Sequence, residues 1–238
     1  MTLSAEPDIA RLAGAMADQR RARMLLALND GRALPAMRLA AEAGVAPSTA
    51  SGHLRKLVDA GLVAVEPEGR YRCFRLASAD VGALIESMSL LAPPRAVRSL
   101  REGSRAEALR RARTCYDHLA GVLGVAVFAA LVENGDVVGS DGDGGDLAYR
   151  LTGPGRRRLE ELAVELPGAG ADGTTPVRHC VDWTEQRHHL SGAVGRALAR
   201  RLFELRWIER LGQPRAVRVT PAGERGLGRV FGATALTG

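Results

Sequence analysis

The spacing of apolar residues in the first 92 residues predicts amphipathic helices, because side chains three or four positions apart share one helical face. The first three predicted helices cover Ile9 to Asp18, Arg20 to Leu28 and Pro35 to Ala43. Gly44 ends the third helix, and Pro47 suits the first turn of a fourth. A last helix is predicted after Ser78, which is a good N-cap residue.

Two strands are predicted between the fourth helix and the last one. The run LVAVEPEGRYRCFRL, from Leu62 to Leu76, has β-branched and aromatic residues on both sides of the turn residues Pro67, Glu68 and Gly69. Consecutive helices, then a hairpin, then a closing helix are the order of a winged helix-turn-helix. The first 92 residues are therefore predicted to form this fold.

The rest of the chain contains an internal repeat. The segment His118–Gly124, HLAGVLG, returns as His189–Gly195, HLSGAVG, and each copy is predicted to open an apolar helix. A strand followed by a helix cap comes after each, at Tyr149–Gly155 and Val217–Gly223. Two helix-plus-strand units are too few for a solenoid, so we expect them to pack together as one compact α+β domain.

The pair Pro93-Pro94 breaks the helical pattern and predicts a boundary. We predict a DNA-binding and dimerisation domain at 1–92, a basic connector helix at 93–113, and a sensor or dimer-stabilising domain at 114–238. The predicted fold class is mainly α with small β-hairpins (α+β). The Gly-rich run from Asp141 to Asp146 has the wrong spacing for a calcium loop and is predicted to be a plain loop.

Composition places the chain among ordinary globular proteins, with 46% hydrophobic and 25% charged residues. No apolar run is long enough to span a membrane and no signal pattern opens the chain, so we expect a cytoplasmic protein without a membrane partner. The three cysteines are too few for a disulfide scaffold and fit a reducing compartment. The net charge of +6 favours a polyanionic partner.

The excess positive charge is concentrated in the predicted connector. Seven arginines stand there against two glutamates, at Arg95, Arg98, Arg101, Arg105, Arg110, Arg111 and Arg113. Such a run is most often a solvated helical face. Whether it contacts DNA is left open by the sequence.

The fourth helix has two unlike faces. Ala50, Leu54 and Leu57 form an apolar stripe, whereas small hydroxyls followed by bases lie opposite, as in a helix that enters the major groove. A solvated face is the alternative. His53 lies at the edge and is predicted to be a half-buried, hydrogen-bonded ring. The predicted DNA-binding residues are Ser48, Thr49, Ser51, Arg55 and Lys56 on this helix and Arg70 and Arg72 on the hairpin.

Residues 10 to 92 resemble the ArsR/SmtB family of winged-helix repressors. The resemblance rests on four motifs in combination, MADQRRARMLLAL, APSTASGHLRKL, AGLV and GRYRCFRL. It implies a homodimer that binds an inverted-repeat operator in double-stranded DNA and leaves it when an effector binds. The last helix independently favours a dimer, since its apolar face is too large to stay in water. The predicted dimerisation residues are Val81, Leu84, Ile85, Met88 and Leu91.

The metal sites of that family do not carry over to this chain. The segment LPAMRLAAEAG, before the recognition helix, has no cysteine. In the last helix Asp80 matches the family pattern, but Gly82 replaces a histidine, and Pro93 and Ala96 stand where the later ligand pair would be. Asp80 is better explained as a favourable charge in the first turn of a helix.

Effector chemistry is therefore expected in the second part of the chain. Cys115 and His118, three positions apart, are predicted to share a helical face, and Cys180 is predicted to approach them if the repeats pack by pseudo-symmetry. Thiolates and imidazoles suit Zn or another thiophilic metal, and thiols also sense oxidants or arsenicals. The candidate effector residues are Cys115, His118, Cys180, Asp182, His188 and His189, with His179 beside them.

Three alternatives remain for this second part. A small-molecule pocket would be lined by Tyr116, Phe128, Trp183 and Trp207. A purely structural domain would make the protein a constitutive repressor. An enzyme using Cys180 with His179 or His189 is the least favoured, because the chain lacks the usual hydrolase, phosphate-binding and zinc-protease motifs. We expect a protein that is not an enzyme.

Overall fold

The computed structural model describes residues 6 to 69, 71 to 93, 95 to 141, 147 to 170 and 173 to 232. The chain divides into an N-terminal unit, Met1–Ser87, and a C-terminal unit, Met88–Gly238. In these described stretches no helix is long and apolar enough to cross a membrane.

The N-terminal unit begins with four helices and a short strand. They are α1 (Ile9–Met16), α2 (Gln19–Leu28), β1 (Leu34–Pro35), α3 (Ala36–Ala43) and α4 (Pro47–Asp59). The hairpin β2 (Val63–Glu68) and β3 (Tyr71–Leu76) follows, and then the helix α5 (Ala79–Leu91), which crosses the boundary between the units at Ser87. The three strands form one antiparallel sheet in the order β1-β3-β2. This order confirms the predicted winged helix-turn-helix.

The turn between α3 and α4 sets the pose of α4. Gly44 ends α3 with a φ of +67°, a conformation that L side chains rarely adopt. α4 then buries Ala50, Leu54 and Leu57 almost completely. Burying each leucine contributes about 1.5–3 kcal/mol, so this stripe fixes which face of α4 is left outside.

The C-terminal unit is built from hairpins and helices. Its first part is α6 (Leu100–Arg111), β4 (Arg113–Cys115), β5 (His118–Ala120), α7 (Gly121–Glu133), β6 (Val137–Asp141), β7 (Leu147–Leu151) and α8 (Gly153–Glu161). Its second part is β8 (Thr175–Val181), β9 (His188–Ser191), α9 (Gly192–Glu204), β10 (Ile208–Arg210), β11 (Val217–Val219) and α10 (Pro221–Phe231). The fold is α+β, as predicted. The predicted loop at Asp141–Asp146 lies, after Asp141, outside the described residues.

Each copy of the repeat is a hairpin, a helix, a second hairpin and a second helix. The segments starting at His118 and His189 were predicted to open helices directly, and this prediction is wrong for their first residues, which are strands. The helices begin at Gly121 and Gly192, whose φ angles are +74° and +65°. The chain therefore turns from strand to helix at a glycine, inside an apolar run that looks helical throughout.

The two copies exchange strand contacts. In the four-stranded sheet β6-β7-β8-β9, the last strand of the first copy, β7, pairs with the first strand of the second, β8. The reverse contact also exists, because Arg113 on β4 bridges to Ala216 and the Thr114 N–H donates to the Arg215 carbonyl at 2.8 Å. The copies are thus related by an approximate two-fold and share one core.

The connector differs from its prediction. Regular helix covers only Leu100–Arg111, and two of its bases pair with glutamates, Arg111 with Glu107 at 2.9 Å and Arg110 with Glu185 at 3.0 Å. Arg113 was predicted to belong to the basic run, but it lies on β4 and is completely buried. Its burial is explained by a counter-charge from a distant part of the chain, the carboxylate of Asp182 at 2.9 Å.

Candidate functional site

The face of α4 opposite its buried stripe is open to solvent. Five of the predicted DNA-binding residues lie on it and are exposed, namely Ser48, Thr49, Ser51, Arg55 and Lys56. Gly52 lies on the same side, and nothing among the described residues comes within 4 Å of a Cβ built on it. The helix backbone is therefore accessible there. Small donors early in a helix and bases one turn later suit the major groove and its flanking phosphates.

His53 does not belong to that face. Its ring is half-buried, and its Nδ1 lies 3.6 Å from the carboxylate of Asp18, too far for a hydrogen bond. Asp18 is the N-cap of α2 and accepts the N–H groups of Arg20 and Arg21. The half-burial agrees with the prediction, whereas the hydrogen bond predicted for the ring is absent at Nδ1 among the described residues.

The wing contributes one described base. Arg72 on β3 is exposed, whereas Arg70 lies outside the described residues. The neighbouring Arg75 is engaged by Glu66 across the β2-β3 pair. Arg72 is therefore the predicted wing base that the structure describes as exposed to solvent.

The predicted dimerisation residues on α5 differ in exposure. Ile85 is buried within its own protomer, and Val81 and Leu84 are half-buried. Met88 and Leu91 are 46% and 85% exposed. The uncovered apolar surface of α5 is therefore at its C-terminal end.

Four side chains of the C-terminal unit converge on one point, Cys115, His118, Cys180 and His189. One nitrogen or sulfur atom of each lies within 4.8 Å of those of the other three. We call this group the Cys/His cluster.

Each hairpin supplies one cysteine and one histidine to the Cys/His cluster. Cys115 pairs with His118 across β4 and β5, and Cys180 pairs with His189 across β8 and β9. The predicted helical placement of Cys115 and His118 is wrong. A two-residue turn with Tyr116 at a φ of +56° reverses the chain between them.

A sequence signal for this arrangement was missed. Arg113-Thr-Cys115-Tyr-Asp117 and Arg178-His-Cys180-Val-Asp182 share the pattern Arg-x-Cys-x-Asp just before each repeated His-Leu segment. An insertion of six residues before His189 hides it, because the first copy passes from Asp117 directly to His118. Extending the repeat to this pattern would have predicted two equivalent Cys/His pairs.

Two glycines let the copies approach each other at the cluster. A Cβ on Gly124 would lie 2.5 Å from the Leu119 carbonyl oxygen, and one on Gly195 would lie 2.6 Å from that of Leu190. The next contacts of these positions are the Cβ atoms of His189 and His118. The two histidine rings stack with centroids 5.2 Å apart.

The cluster is electrostatically unusual. The pKa of Cys180 is lowered to about 3, and the largest cause is a hydrogen bond that the Cys115 thiol donates to its sulfur. His118 and Ser191 lower this pKa further, whereas burial raises it. Burial, reinforced by the charge of His118, lowers the pKa of His189 to about 3. Burial lowers the pKa of His118, but the interactions with Asp117 and Cys180 are stronger in sum, so the pKa is raised overall. These interactions favour the thiolate form of Cys180 and the neutral form of His189.

Asp182, predicted as an effector residue, is occupied by structural contacts. Its carboxylate accepts from Arg113 at 2.9 Å and from the Gly121 N–H at 2.6 Å, and it also accepts from Thr184. Burial would raise the pKa of Asp182, but the Arg113 charge and these hydrogen bonds hold it well below its usual range. Asp182 still lies 3.8 Å from Nδ1 of His189, behind the cluster rather than in it.

His188 is not part of the cluster either. Its Nδ1 lies 2.9 Å from the Tyr149 hydroxyl, and its ring centroid is 4.3 Å from that of His179. Burial and the nearby His179 lower its pKa. His179, His188 and Tyr149 therefore form a separate aromatic group.

The aromatic residues proposed to line a pocket have their own packing partners. Phe128 meets Tyr149 edge to face, Trp183 lies under the Arg113 guanidinium, and Trp207 packs against Gly226 of α10. These contacts explain the aromatic side chains as core packing.

The helix order, the wing and the exposed face of α4 together define a winged helix-turn-helix DNA-binding protein. Comparison with known proteins agrees with this class. A helix-turn-helix domain model matches residues 16–66. The HTH-type transcriptional regulator YdfF of Bacillus subtilis (strain 168) is 40% identical over 218 residues, which cover 92% of this chain and 94% of that protein.

The chain therefore belongs to the family of HTH-type transcriptional regulators that includes YdfF. The match reaches over both units, so the C-terminal unit is part of what the family shares. The helix-turn-helix regulator predicted from the N-terminal motifs is confirmed, and the protein is a transcriptional regulator with a helix-turn-helix DNA-binding domain.

Two further matches cover only part of the chain. The HTH-type transcriptional regulator CmtR of Mycobacterium tuberculosis (strain ATCC 25618 / H37Rv) is 43% identical over 76 residues, 32% of this chain and 64% of that protein. The solved homodimeric winged helix-turn-helix DNA-binding domain of Mb0332 from Mycobacterium bovis is 27% identical, with a TM-score of 0.33. It covers 38% of this chain and 89% of its own.

Proposed function

We propose that this protein is a dimeric transcriptional repressor that binds an inverted-repeat operator through α4 of each protomer. An effector bound in the C-terminal unit releases it from the DNA. The observation that carries the DNA-binding part is the division of α4 into a buried apolar stripe and an exposed face of hydroxyls and bases.

In this proposal the exposed face of α4 does two jobs. Ser48 and Thr49, in the first turn, reach base edges or phosphates at the groove. Arg55 and Lys56, further along the helix, and Arg72 on the wing neutralise backbone phosphates. Binding is then expected to weaken steeply as salt rises, with sequence preference coming from the first turn of α4.

The variant Arg55→Ala is expected to weaken operator binding by about 1–3 kcal/mol, or roughly 5- to 150-fold, because one base or phosphate contact is lost. Fluorescence anisotropy on the DNA upstream of the protein's own gene, at several salt concentrations, measures this. Arg225→Ala removes an equally exposed arginine from α10 and serves as the matched control. Equal affinities for the two variants, or binding that ignores DNA sequence, would contradict the proposed role of α4.

The dimer is proposed from the end of α5. Leu91 is 85% exposed and Met88 is 46% exposed, on a helix whose other large apolar residues are buried or half-buried, namely Val81, Leu84, Ile85 and Leu90. Burial of both in a partner protomer would remove this surface from water. A two-fold dimer also matches the symmetry of an inverted repeat.

The variant Leu91→Glu is expected to shift the protein from dimer to monomer, because it places a charge in the proposed interface. Leu100→Glu is the matched control, since Leu100 is 93% exposed but lies on α6. Sedimentation equilibrium measures the mass of each. If Leu91→Glu keeps the mass of the unmodified protein, α5 is not the interface.

We propose a sensing role for the C-terminal unit because packing of its hairpins does not require the thiols and imidazoles of the Cys/His cluster. Small apolar residues would pack hairpins together without bringing two thiols and two imidazoles to one point. The alternative is a constitutive repressor, in which no ligand of the C-terminal unit alters operator affinity.

A further inference from the structure

We propose that Cys115, His118, Cys180 and His189 form a four-coordinate site for one thiophilic divalent ion of the Zn²⁺ type. This deepens the proposed function by naming the class of effector. Its regulatory consequence rests on that function, whereas the binding site itself does not.

The geometry of the cluster is close to that of a tetrahedral site. Zn–S bonds of about 2.3 Å and Zn–N bonds of about 2.0 Å place tetrahedral ligand atoms about 3.3–3.8 Å apart. The four side chains already hold their ligand atoms within 4.8 Å of one another. A contraction of about an ångström, well within the reach of side-chain rotation, completes the coordination shell.

Unsatisfied ring nitrogens point to a missing ligand. His118 and His189 are 6% and 0% exposed. Both ring nitrogens of His189 are buried and have no hydrogen-bond partner in the part of the chain that the structure describes. Burying such a group without a partner carries a free-energy cost. Coordination of an ion through Nε2 of each ring would remove this cost.

A carboxylate lies near the Nδ1 atom of each histidine of the cluster, as is common for histidines that bind a metal. Oδ1 of Asp117 lies 3.1 Å from Nδ1 of His118, and Oδ2 of Asp182 lies 3.8 Å from Nδ1 of His189. A carboxylate on the outer nitrogen is the usual partner of a metal-bound histidine, because it fixes the ring and its tautomer. The Asp117 carboxylate therefore holds Nδ1 of His118 and leaves its Nε2 for an ion, whereas Asp182 lies behind His189 beyond hydrogen-bond distance.

Charge and softness select the class of ion. Two thiolates and two neutral imidazoles balance the charge of one divalent cation. Asp117 and Asp182 are already paired with Arg196 and Arg113, so they add little net charge. Two sulfur and two nitrogen ligands at tetrahedral spacing favour Zn²⁺ or its softer relative Cd²⁺ and disfavour Mg²⁺ and Ca²⁺, which require oxygen.

One of the four proposed ligands is partly exposed to solvent. Cys115, His118 and His189 are buried, whereas Cys180 is half-buried and is the outward member of the group. We assign Cys180 as the first ligand to bind and the other three as the ligands that enclose the ion.

The test uses the full-length protein, prepared without metal under reducing conditions and titrated with Co²⁺ as an optical probe. We expect one equivalent to bind, with the visible bands of tetrahedral Co²⁺ and a thiolate charge-transfer band, and Zn²⁺ and Cd²⁺ to displace it. Cys180→Ser, Cys115→Ser, His118→Gln and His189→Gln are each expected to weaken binding at least about 100-fold. Asp117→Asn is expected to weaken it about 10- to 100-fold.

Two matched controls keep the test specific. Cys73→Ser removes the remaining thiol of the chain, on β3, and His188→Gln removes the histidine adjacent to His189; both are expected to leave Co²⁺ binding unchanged. Circular dichroism identifies any variant that does not fold. Binding without a thiolate band, or equal binding by unmodified protein and folded Cys180→Ser, overturns the site.

Operator binding separates this inference from the proposed function. If Zn²⁺ or Cd²⁺ binds at the cluster, operator affinity is expected to fall about 5- to 150-fold, and Cys180→Ser is expected to abolish the change while still binding DNA. Metal binding with unaltered operator affinity supports the site but contradicts its effector role. Operator binding without any metal binding leaves the DNA-binding part standing and overturns the metal site.

Discussion

Replacing Asp182 with alanine is expected to lower the free energy of unfolding of the C-terminal unit by about 3–5 kcal/mol. Asp182 and Arg113 are both 0% exposed, and the carboxylate is the buried counter-charge of the guanidinium. Without it, the Arg113 charge stays buried without a counter-charge from Asp182, and the Gly121 N–H loses its acceptor. The loss in the free energy of unfolding therefore measures the cost of burying the Arg113 charge without Asp182, and not the net contribution of the ion pair.

Urea denaturation followed by tryptophan fluorescence, in the presence of a chelator, measures this loss. Both tryptophans, Trp183 and Trp207, lie in the C-terminal unit, so the signal reports on that unit alone. Glu209→Ala is the control, because it removes the exposed Arg218–Glu209 pair and is expected to cost about 0–1 kcal/mol.

A second change separates charge burial from lost packing. Adding Arg113→Met to Asp182→Ala removes the stranded charge and is expected to restore part of the stability. If Asp182→Ala costs no more than Glu209→Ala, or if the second substitution restores nothing, the stranded charge is not the cause.

The variant Gly223→Ala is expected to destabilise the C-terminal unit by about 3 kcal/mol, the upper part of the usual range for overpacking. A Cβ on Gly223 would lie 2.0 Å from the carbonyl oxygen of Trp207. The Thr220 hydroxyl, which caps α10, holds the helix against this same carbonyl segment. Because the obstacle is backbone, no side-chain rotation can relieve it, and α10 has to move away from the β10-β11 hairpin.

Gly228→Ala on the same helix is the matched control. Nothing among the described residues comes within 4 Å of a Cβ at Gly228. Alanine there is expected to stabilise the unit by about 0.5–1 kcal/mol through the lower entropy of the unfolded chain. Opposite signs for the two variants, measured by the same urea titrations, are the expected result. A stabilising Gly223→Ala would mean that α10 does not lie against the Trp207 carbonyl.

The parts of the fold that depend on local periodicity were predictable from the sequence. α4 is an example, because Ala50, Leu54 and Leu57 repeat at helical spacing and their burial decides which residues remain exposed. The wing was predictable because turn residues separate two runs of strand-forming residues. In both cases the deciding interactions lie within a few residues of each other.

The Cys/His cluster was predictable only in its residue types. The turn from strand to helix at Gly121 depends on a positive φ, which an apolar run of small residues conceals. The burial of Arg113 depends on Asp182, which is 69 positions away. Sequence spacing alone does not predict contacts between residues so far apart along the chain. The two hairpins are recognised as equivalent only when the repeat is taken to include the Arg-x-Cys-x-Asp pattern.

Gly124 and Gly195 have a consequence for how the two copies have diverged. Each glycine sits where its helix turns back over the preceding strand, and beyond that strand lies the histidine of the other copy. A larger residue at either position would clash with the preceding strand of its own copy and displace the histidine of the other copy, so it is expected to destabilise both copies. The same steric requirement therefore holds glycine at equivalent positions of the two copies, whereas residues away from this contact are not restricted in this way.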